Sequence, residues 1–145
     1  MVKLKIALDS LSKAQILEIV NACPGITVSK SATKHKIIEQ LSVELPREKR
    51  MQCLSESFDS KDETIFKLFM NKKYKYNGMN QMDFTKFLTY NKRMKYDFIP
   101  NINKLRSQGV VFTGVMIKNK SMVVIPSDYF KFLTQFINGG NGEKE

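Results

Sequence analysis

The chain has 145 residues, of which 42% are hydrophobic and 26% are charged. This length and composition suffice for one ordinary domain, or for a small module joined to a domain of roughly 80 to 100 residues. No apolar run approaches the roughly 20 residues that a membrane-spanning helix needs, and the first residues lack the apolar region of a secretory signal. We therefore expect a cytoplasmic protein that makes no membrane contact.

The charge is unevenly distributed along the chain. Lys and Arg outnumber Asp and Glu by 24 to 14, which gives a net charge of +10. Residues 64–138 contain 13 of these cations and 3 of the acids, so this segment holds a surplus equal to that of the whole chain. Such asymmetry is typical of a surface that binds a polyanion, and it also suits a surface that only keeps a protein soluble.

Residues that commonly carry catalysis or bind metals are scarce. The chain has two cysteines, Cys23 and Cys53, and one histidine, His35. These are too few for a zinc site and predict no disulfide framework. No set of Ser, His and Asp and no pair of carboxylates has a recognisable catalytic context. We expect two reduced thiols and a protein without enzymatic activity, metal or cofactor.

The first predicted unit is a helix, an extended piece and a second helix within residues 8–45. Ser12 and Gln15 have the spacing of a capping box, and the apolar side of the helix that follows ends at Pro24. An extended piece over residues 26–28 then leads to a second helix from Ser31. The apolar face of this second helix comprises Ile37, Ile38 and Leu41.

In the run SATKHKIIEQL, Lys34 precedes the three aliphatic residues of that face by three, four and seven positions. This run resembles the second half of SAP-type or Rho-N-like helix-extension-helix modules, and the PGIT segment with the serine that follows it is similar to the related LEM-type modules. The resemblance implies a module over residues 1–45 that binds DNA, RNA or a chromatin protein. It also implies that Lys34 and Lys36 contact a nucleic-acid backbone. The alternative is that the two helices only cap the larger domain.

Two helices and a strand are predicted next. One helix starts near Pro46, in a connector over residues 46–60 whose charges nearly cancel. The next is opened by a capping box at Ser60 and Glu63. Its apolar residues are Ile65, Phe66, Leu68 and Phe69. The segment KYKYNG then predicts a short strand and a turn, and Asn80 caps a further helix that ends in NKRMKY.

The following segment predicts a capped helix of about 11 residues. Asp97 is a good N-cap, Pro100 falls within the first turn, and Gly109 supplies the left-handed residue that ends a helix. Rotation of about 100° per residue places the apolar side chains on one face and leaves an outward set without a carboxylate. The core face comprises Phe98, Ile102 and Leu105. The outward face and its flanks comprise Pro100, Asn101, Asn103, Lys104, Arg106, Ser107 and Gln108.

A hairpin and a final helix complete the chain. The strands GVVFTGVMI and SMVVIP are joined by KNK, in which Asn119 suits the positive φ of a tight turn. Lys118 and Lys120 then lie at the hairpin tip. The helix over residues 127–138 has apolar residues on more than one face, which predicts contact with a second copy of the chain or with the N-terminal module. Residues 139–145 are predicted to form a flexible tail.

From residue 61 onward, the predicted order is helix, short strand, helix, turn, helix, strand, turn, strand. In this order and spacing, residues 61–126 resemble the winged helix superfamily, and the last helix extends that domain to residue 138. The expected fold class is mainly α with a small β-hairpin. The resemblance implies that the helix over residues 98–108 reads the major groove of double-stranded DNA while the hairpin over residues 110–126 contacts backbone or minor groove.

The function that we predict is non-enzymatic binding of double-stranded DNA, by a small transcription regulator or an architectural nucleoid or phage factor. The alternative is an adaptor whose basic face binds an acidic protein of the transcription machinery. Either protein acts in the cytoplasm, which is that of the host if it is encoded by a phage. The predicted DNA contacts are Asn101, Asn103, Lys104, Arg106, Ser107, Gln108, Lys92, Arg93, Lys95, Lys118, Asn119, Lys120, Lys34 and Lys36.

Two tyrosines stand among lysines just before the predicted strand. Tyr74 and Tyr76 alternate with cations in the run KKYKY. Aromatic rings between cations are suited to stacking on unpaired bases, and tyrosines also suit a short strand.

Overall fold

A computed structural model describes the backbone of residues 1–142 and the side chains of residues 1–139. Over these residues the fold is mainly α-helical with a small antiparallel sheet, which confirms the expected fold class. The helices are α1 (Leu4–Asp9), α2 (Lys13–Asn21), α3 (Lys34–Glu44), α4 (Glu48–Ser55), α5 (Ser60–Phe69), α6 (Gln81–Arg93), α7 (Ile99–Ser107) and α8 (Phe130–Gly142). The strands are β1 (Met79–Asn80), β2 (Phe112–Ile117) and β3 (Lys120–Val124), and a 3₁₀ turn covers Ser127–Tyr129.

The N-terminal residues pack on the C-terminal part of the chain. The backbone N–H of Leu4 donates to a carboxylate oxygen of Asp128 at 2.8 Å, and the N–H of Ser127 donates to the carbonyl of Val2 at 2.8 Å. The buried hydrophobic residues in the described part of the chain form one cluster that runs from Val2 to Leu133. Residues 1–45 therefore share their core with the segment that follows them.

Helices α2 and α3 differ little from expectation. The capping box of α2 is present, since the Ser12 hydroxyl accepts from the N–H of Gln15 and the Gln15 side chain accepts from the N–H of Ser12. Helix α3 begins after Thr33, two residues later than predicted, because the Thr33 hydroxyl accepts the N–H of Lys36. Residues 26–28 form no strand. The apolar face of α3 is buried as predicted and comprises Ile37, Ile38 and Leu41.

The N-cap of α5 lies one residue earlier than predicted. Asp59, and not Ser60, accepts the N–H groups of Lys61 and Asp62. Asp62 completes the capping box by accepting the N–H of Asp59 at 3.0 Å. The carboxylate of Asp62, in the first turn of α5, is fully buried. The buried apolar residues of α5 are Ile65, Phe66 and Phe69.

The three strands lie in the order β1-β3-β2, and all pairs are antiparallel. The segment KYKYNG forms turns, so the predicted strand there is wrong and pairing begins at Met79, opposite Val123. Gly78 determines where the pairing of β1 with β3 begins. A Cβ atom on Gly78 would lie 2.5 Å from the carbonyl oxygen of Val123, and the residue has a φ of +82°. The backbone can therefore reach β3 only at a glycine.

Helix α8 is one residue longer than predicted and packs against two other helices of the chain. Its apolar side packs on α4 and α5, with the ring of Phe136 at 5.4 Å from Phe58 and 6.3 Å from Phe66. Leu133 is buried, whereas the other apolar side chains of α8 are half-buried, so contact with a second copy stays a prediction. Backbone residues 139–142 belong to α8, and residues 143–145 of the predicted tail lie outside the described residues. None of the helices in the described part is long and apolar enough to cross a membrane.

Candidate nucleic-acid interface

The turn between α6 and α7 presents three cations to solvent. Lys92 and Arg93 end α6, Lys95 follows, and all three are exposed. Among the residues that the structure describes, no carboxylate lies within 4.0 Å of their charged groups. Lys95 has a φ of 66°, while the N–H of Tyr96 donates to the carbonyl of Asn91 at 2.8 Å. This closure is of the Schellman type, in which glycine is the usual residue at the left-handed position.

Helix α7 has 9 residues, so it begins one residue later and ends one residue earlier than the predicted helix over residues 98–108. The Asp97 carboxylate accepts the N–H of Ile99 at 3.1 Å, and Gly109 ends the helix with a φ of 73°. The core face is buried as expected and comprises Phe98, Ile102 and Leu105. The exposed side chains that form the outward ridge are Pro100, Asn103, Arg106 and Ser107.

One flank of α7 is turned into the protein. Asn101 is only 8% exposed, and its amide donates to Asp59 at 2.9 Å and to Asp62 at 2.8 Å. The Lys104 ammonium binds the other Asp62 oxygen and the carbonyl of Ser57. The sequence places Lys104 among the outward residues, and this placement is wrong. Because the buried carboxylate of Asp62 requires a counter-ion, the lysine lies against α5.

The network also fixes the charge of Asp59. The hydrogen bond from the backbone N–H of Asp62 lowers the pKa of Asp59 below its ordinary value. Partial burial opposes this shift, and the positive charge of Lys104 and the amide of Asn101 reinforce it. Asp59 therefore remains ionised at neutral pH and holds Asn101 and the first turn of α5 together.

The C-terminal end of α7 is anchored by residues for which the sequence offers no local signal. The Gln108 carbonyl accepts from the Arg50 guanidinium, which also lies 3.2 Å from the Cys23 sulfur. The Tyr129 hydroxyl donates to the carbonyl of Gly109 at 2.6 Å, and burial raises the pKa of Tyr129, so the phenol stays neutral. The side-chain oxygen of Gln108 is itself buried. Gln108 therefore belongs to this anchor and is not part of the outward ridge.

The hairpin tip exposes three polar residues. Lys118 and Asn119 have φ values of 51° and 65°, which is the two-residue turn of type I′, and Lys120 begins β3. All three side chains are exposed as predicted. Within residues 1–142, neither lysine has a carboxylate partner within 4.0 Å.

The two lysines assigned to the N-terminal module differ from each other. The Lys34 ammonium donates to the carbonyl of Asp9 at 2.9 Å and lies 3.9 Å from the Asp9 carboxylate. Cations stabilise the C-terminal end of a helix, so Lys34 serves to hold α1. Lys36 is exposed and is the member of this pair that remains available to a ligand.

Helix α2 lies beside the outward ridge of α7. A cleft of about 280 Å³ separates the two helices, and its α7 wall includes Asn103, Arg106 and Ser107. The opposite wall includes Gln15 and Glu18. A ligand that contacts Arg106 therefore also meets α2. The sequence does not reveal this neighbour, because the two helices are far apart along the chain.

No protein-family model, curated protein sequence or solved structure matches the chain.

Proposed function

We propose that residues 61–126 are a winged helix domain that binds double-stranded DNA. The arrangement of the sheet supports this assignment. The short strand β1 lies between the first two helices of this segment and pairs with β3, the second strand of the hairpin. This pairing ties the hairpin to α6, so α6, α7 and the hairpin belong to one framework.

The observation that carries the proposal is the conformation of two exposed lysines. Lys95 and Lys118 both have positive φ, a conformation that costs an L-residue about 1 kcal/mol and that glycine or asparagine adopts more readily. Strained positions cluster at functional sites. An exposed cation at each of these turns, with no carboxylate within 4.0 Å in the described residues, favours binding of an anionic ligand.

The roles of the side chains follow from their chemistry. Lysine ammonium groups act as point charges, which suits contact with phosphates by the α6–α7 turn and the hairpin tip. The ridge of α7 offers Asn103 and Arg106, whose amide and guanidinium groups can form paired hydrogen bonds with base edges. Asn101 and Lys104 orient α7 from within the protein and do not contact the ligand.

A binding assay at several salt concentrations tests this proposal. The triple variant Lys92→Ala, Arg93→Ala, Lys95→Ala should bind random duplex DNA more weakly, and the salt dependence of binding should fall by about one unit for each lost contact. The matched control, Lys3→Ala, Lys49→Ala, Lys131→Ala, removes the same charge from other exposed positions. Equal affinities and equal slopes for the two triple variants would exclude the turn as the DNA contact.

A protein partner is the second candidate, and one observation favours it. The side chains of Met94, Tyr96 and Ile99 are 57%, 59% and 38% exposed beside the basic turn. Methionine and tyrosine are enriched at protein interfaces. An adaptor would bind no duplex at low salt, whereas a DNA-binding protein would bind it tightly there.

A further inference from the structure

A second surface combines cations with exposed aromatic rings. Two adjoining clefts lie along the outer side of α6, and we call them together the α6 groove. The first, of about 320 Å³, is lined by Lys73, Tyr74, Lys86 and Tyr90 among others. The second, of about 380 Å³, is lined by Lys86, Thr89, Tyr90 and Arg93 with Thr85. Lys86 and Tyr90 line both clefts, so the two adjoin along these side chains.

The spacing along α6 produces this groove. Lys86, Tyr90 and Arg93 follow one another by four and three residues, which places them on one face of a helix. Tyr90 is 64% exposed, and it lies between the two cations. Such an aromatic ring at the centre of a solvent-facing surface contributes little to the core and offers a flat face to a ligand.

The loop before β1 extends the same pattern. Tyr74 is half-buried in the first cleft with the Lys73 ammonium 5.4 Å from the centre of its ring, and Tyr76 is 55% exposed. Both tyrosines lie in turns and not in the sheet, so strand formation does not account for them. Tyr74 packs partly against the core, and Tyr76 lines a different cleft beside Ile6. Tyr90 is therefore the aromatic ring that the groove offers to a ligand.

The charge of the groove identifies the class of ligand. Its lining includes the cations Lys73, Lys86 and Arg93, and Asp83 is its acidic residue. None of the three cations has a carboxylate within 4.0 Å in the described residues.

We propose that the α6 groove binds single-stranded nucleic acid, with Tyr90 stacking on an unpaired base and Lys73, Lys86 and Arg93 contacting the flanking phosphates. Duplex bases are stacked on one another and cannot present a face to Tyr90, so the ligand is unpaired. Alternating cations and aromatic rings are the arrangement by which proteins bind single strands without reading their sequence. This site is separate from the duplex contacts proposed above, apart from Arg93, which lies at the junction of the two surfaces.

Binding of fluorescent oligonucleotides of about 12 residues to the full chain tests the proposal, with oligo-dT and oligo-rU as probes. Tyr90→Ala should weaken binding about tenfold, since one stacked base contributes this order of affinity, while Tyr90→Phe should retain it. Lys86→Ala should weaken binding and lower the salt slope by about 0.7. The relative affinities for the two probes then identify DNA or RNA as the source of the strand.

Two control variants distinguish the loss of stacking or of charge in the groove from the loss of any exposed side chain. Met82→Ala truncates an exposed side chain on α6 that lies outside both clefts, and Lys131→Ala removes an exposed charge from α8. If Tyr90→Ala bound oligo-dT as tightly as Met82→Ala, or Lys86→Ala as tightly as Lys131→Ala, the proposal would be overturned. Tyr90→Ala and Lys86→Ala should leave duplex binding unchanged, so failure of one site is distinguishable from failure of the other.

Tryptophan fluorescence provides a direct measurement of the contact between residue 90 and the oligonucleotide. The chain contains no tryptophan, so Tyr90→Trp places a single tryptophan in the groove. Its emission should be quenched by oligo-dT, and Lys86→Ala in the same chain should raise the concentration required. Unchanged emission at saturating oligo-dT would overturn the proposal. Displacement of oligo-dT by an equal concentration of an acidic peptide would also overturn it and would assign the groove to a protein partner.

Discussion

The basic segment uses its cations in two different ways. On the inner flank of α7, Lys104 binds the buried carboxylate of Asp62, and nearby Arg50 holds the end of the same helix. On the α6–α7 turn and at the hairpin tip, Lys95 and Lys118 are exposed and have no carboxylate partner within 4.0 Å in residues 1–142. The difference shows that a count of surplus cations overestimates the number available to a ligand, because some of these cations stabilise the fold.

The largest expected effect is on the inner flank. Lys104→Ala leaves the carboxylate of Asp62 buried without its counter-ion and should lower the free energy of unfolding by about 3 kcal/mol. Arg106→Ala, which removes an exposed cation from the same helix, should change it by no more than about 0.5 kcal/mol. Urea unfolding of both variants measures the difference. Similar losses for the two would show that the inner and outer cations of α7 are equivalent.

Arg50 extends the inner group beyond α7. Arg50→Ala removes the donor to the Gln108 carbonyl and should cost about 2 kcal/mol of stability, because a buried acceptor loses a charged partner. Arg50→Lys should recover only part of this loss, since an ammonium lacks the planar fork of a guanidinium. Thermal unfolding checks both variants against Lys49→Ala, an exposed neighbour. A loss for Lys49→Ala as large as that for Arg50→Ala would contradict the anchoring role.

On the outer surface, stability and binding should change in opposite directions. Lys95→Gly relieves the positive φ and should stabilise the fold by about 1 kcal/mol, while it weakens duplex binding several-fold. Lys95→Ala is the matched control, because it loses the charge and keeps the strain. Both variants should bind duplex DNA with the same reduced affinity, and only Lys95→Gly should be more stable than the unchanged chain. An affinity for Lys95→Gly equal to that of the unchanged chain would place this lysine outside the interface.

The smallest effect is a dependence of stability on pH. Asp59 has a folded pKa below its ordinary value of 3.8, so its ionised form stabilises the fold above that pH. This stabilisation is lost as the pH falls through the lower, folded pKa. The difference in unfolding free energy between the unchanged chain and Asp59→Asn should therefore shrink below about pH 4. A difference that stayed constant from pH 7 to pH 3 would exclude the charged form of Asp59 as its origin.

Local signals in the sequence predict the ends of several elements correctly. The capping box at Ser12, the left-handed Gly109 and the tight turn at Asn119 each depend on residues within a few positions of one another. The same local pattern misplaced the cap of α5 by one residue, because Asp59 and Ser60 are both suitable caps. Asp59 is the cap because it belongs to the hydrogen-bond network that joins Asp62 of α5 to Asn101 of α7.

Features that depend on distant partners could not be predicted. Lys104 and Asp62 are 42 residues apart, and neither shows in the sequence that it is paired. Helix α1 has 6 residues and no side-chain cap, so no local pattern indicates it. The start of β1 depends on how closely Gly78 approaches Val123. Local patterns predict the order of the elements after residue 61, but they do not show that α2 is the neighbour of α7 on its outer side.

The hydrogen bonds that join Val2 and Leu4 to Ser127 and Asp128 affect the order in which the protein can fold during synthesis. Val2 and Leu4 are synthesised long before their hydrogen-bond partners, since Asp128 follows Leu4 by 124 positions. Contacts of such long range form slowly, because the intervening chain must be ordered before they can close. Val2 and Leu4 therefore lack these hydrogen bonds until Ser127 and Asp128 have also been synthesised.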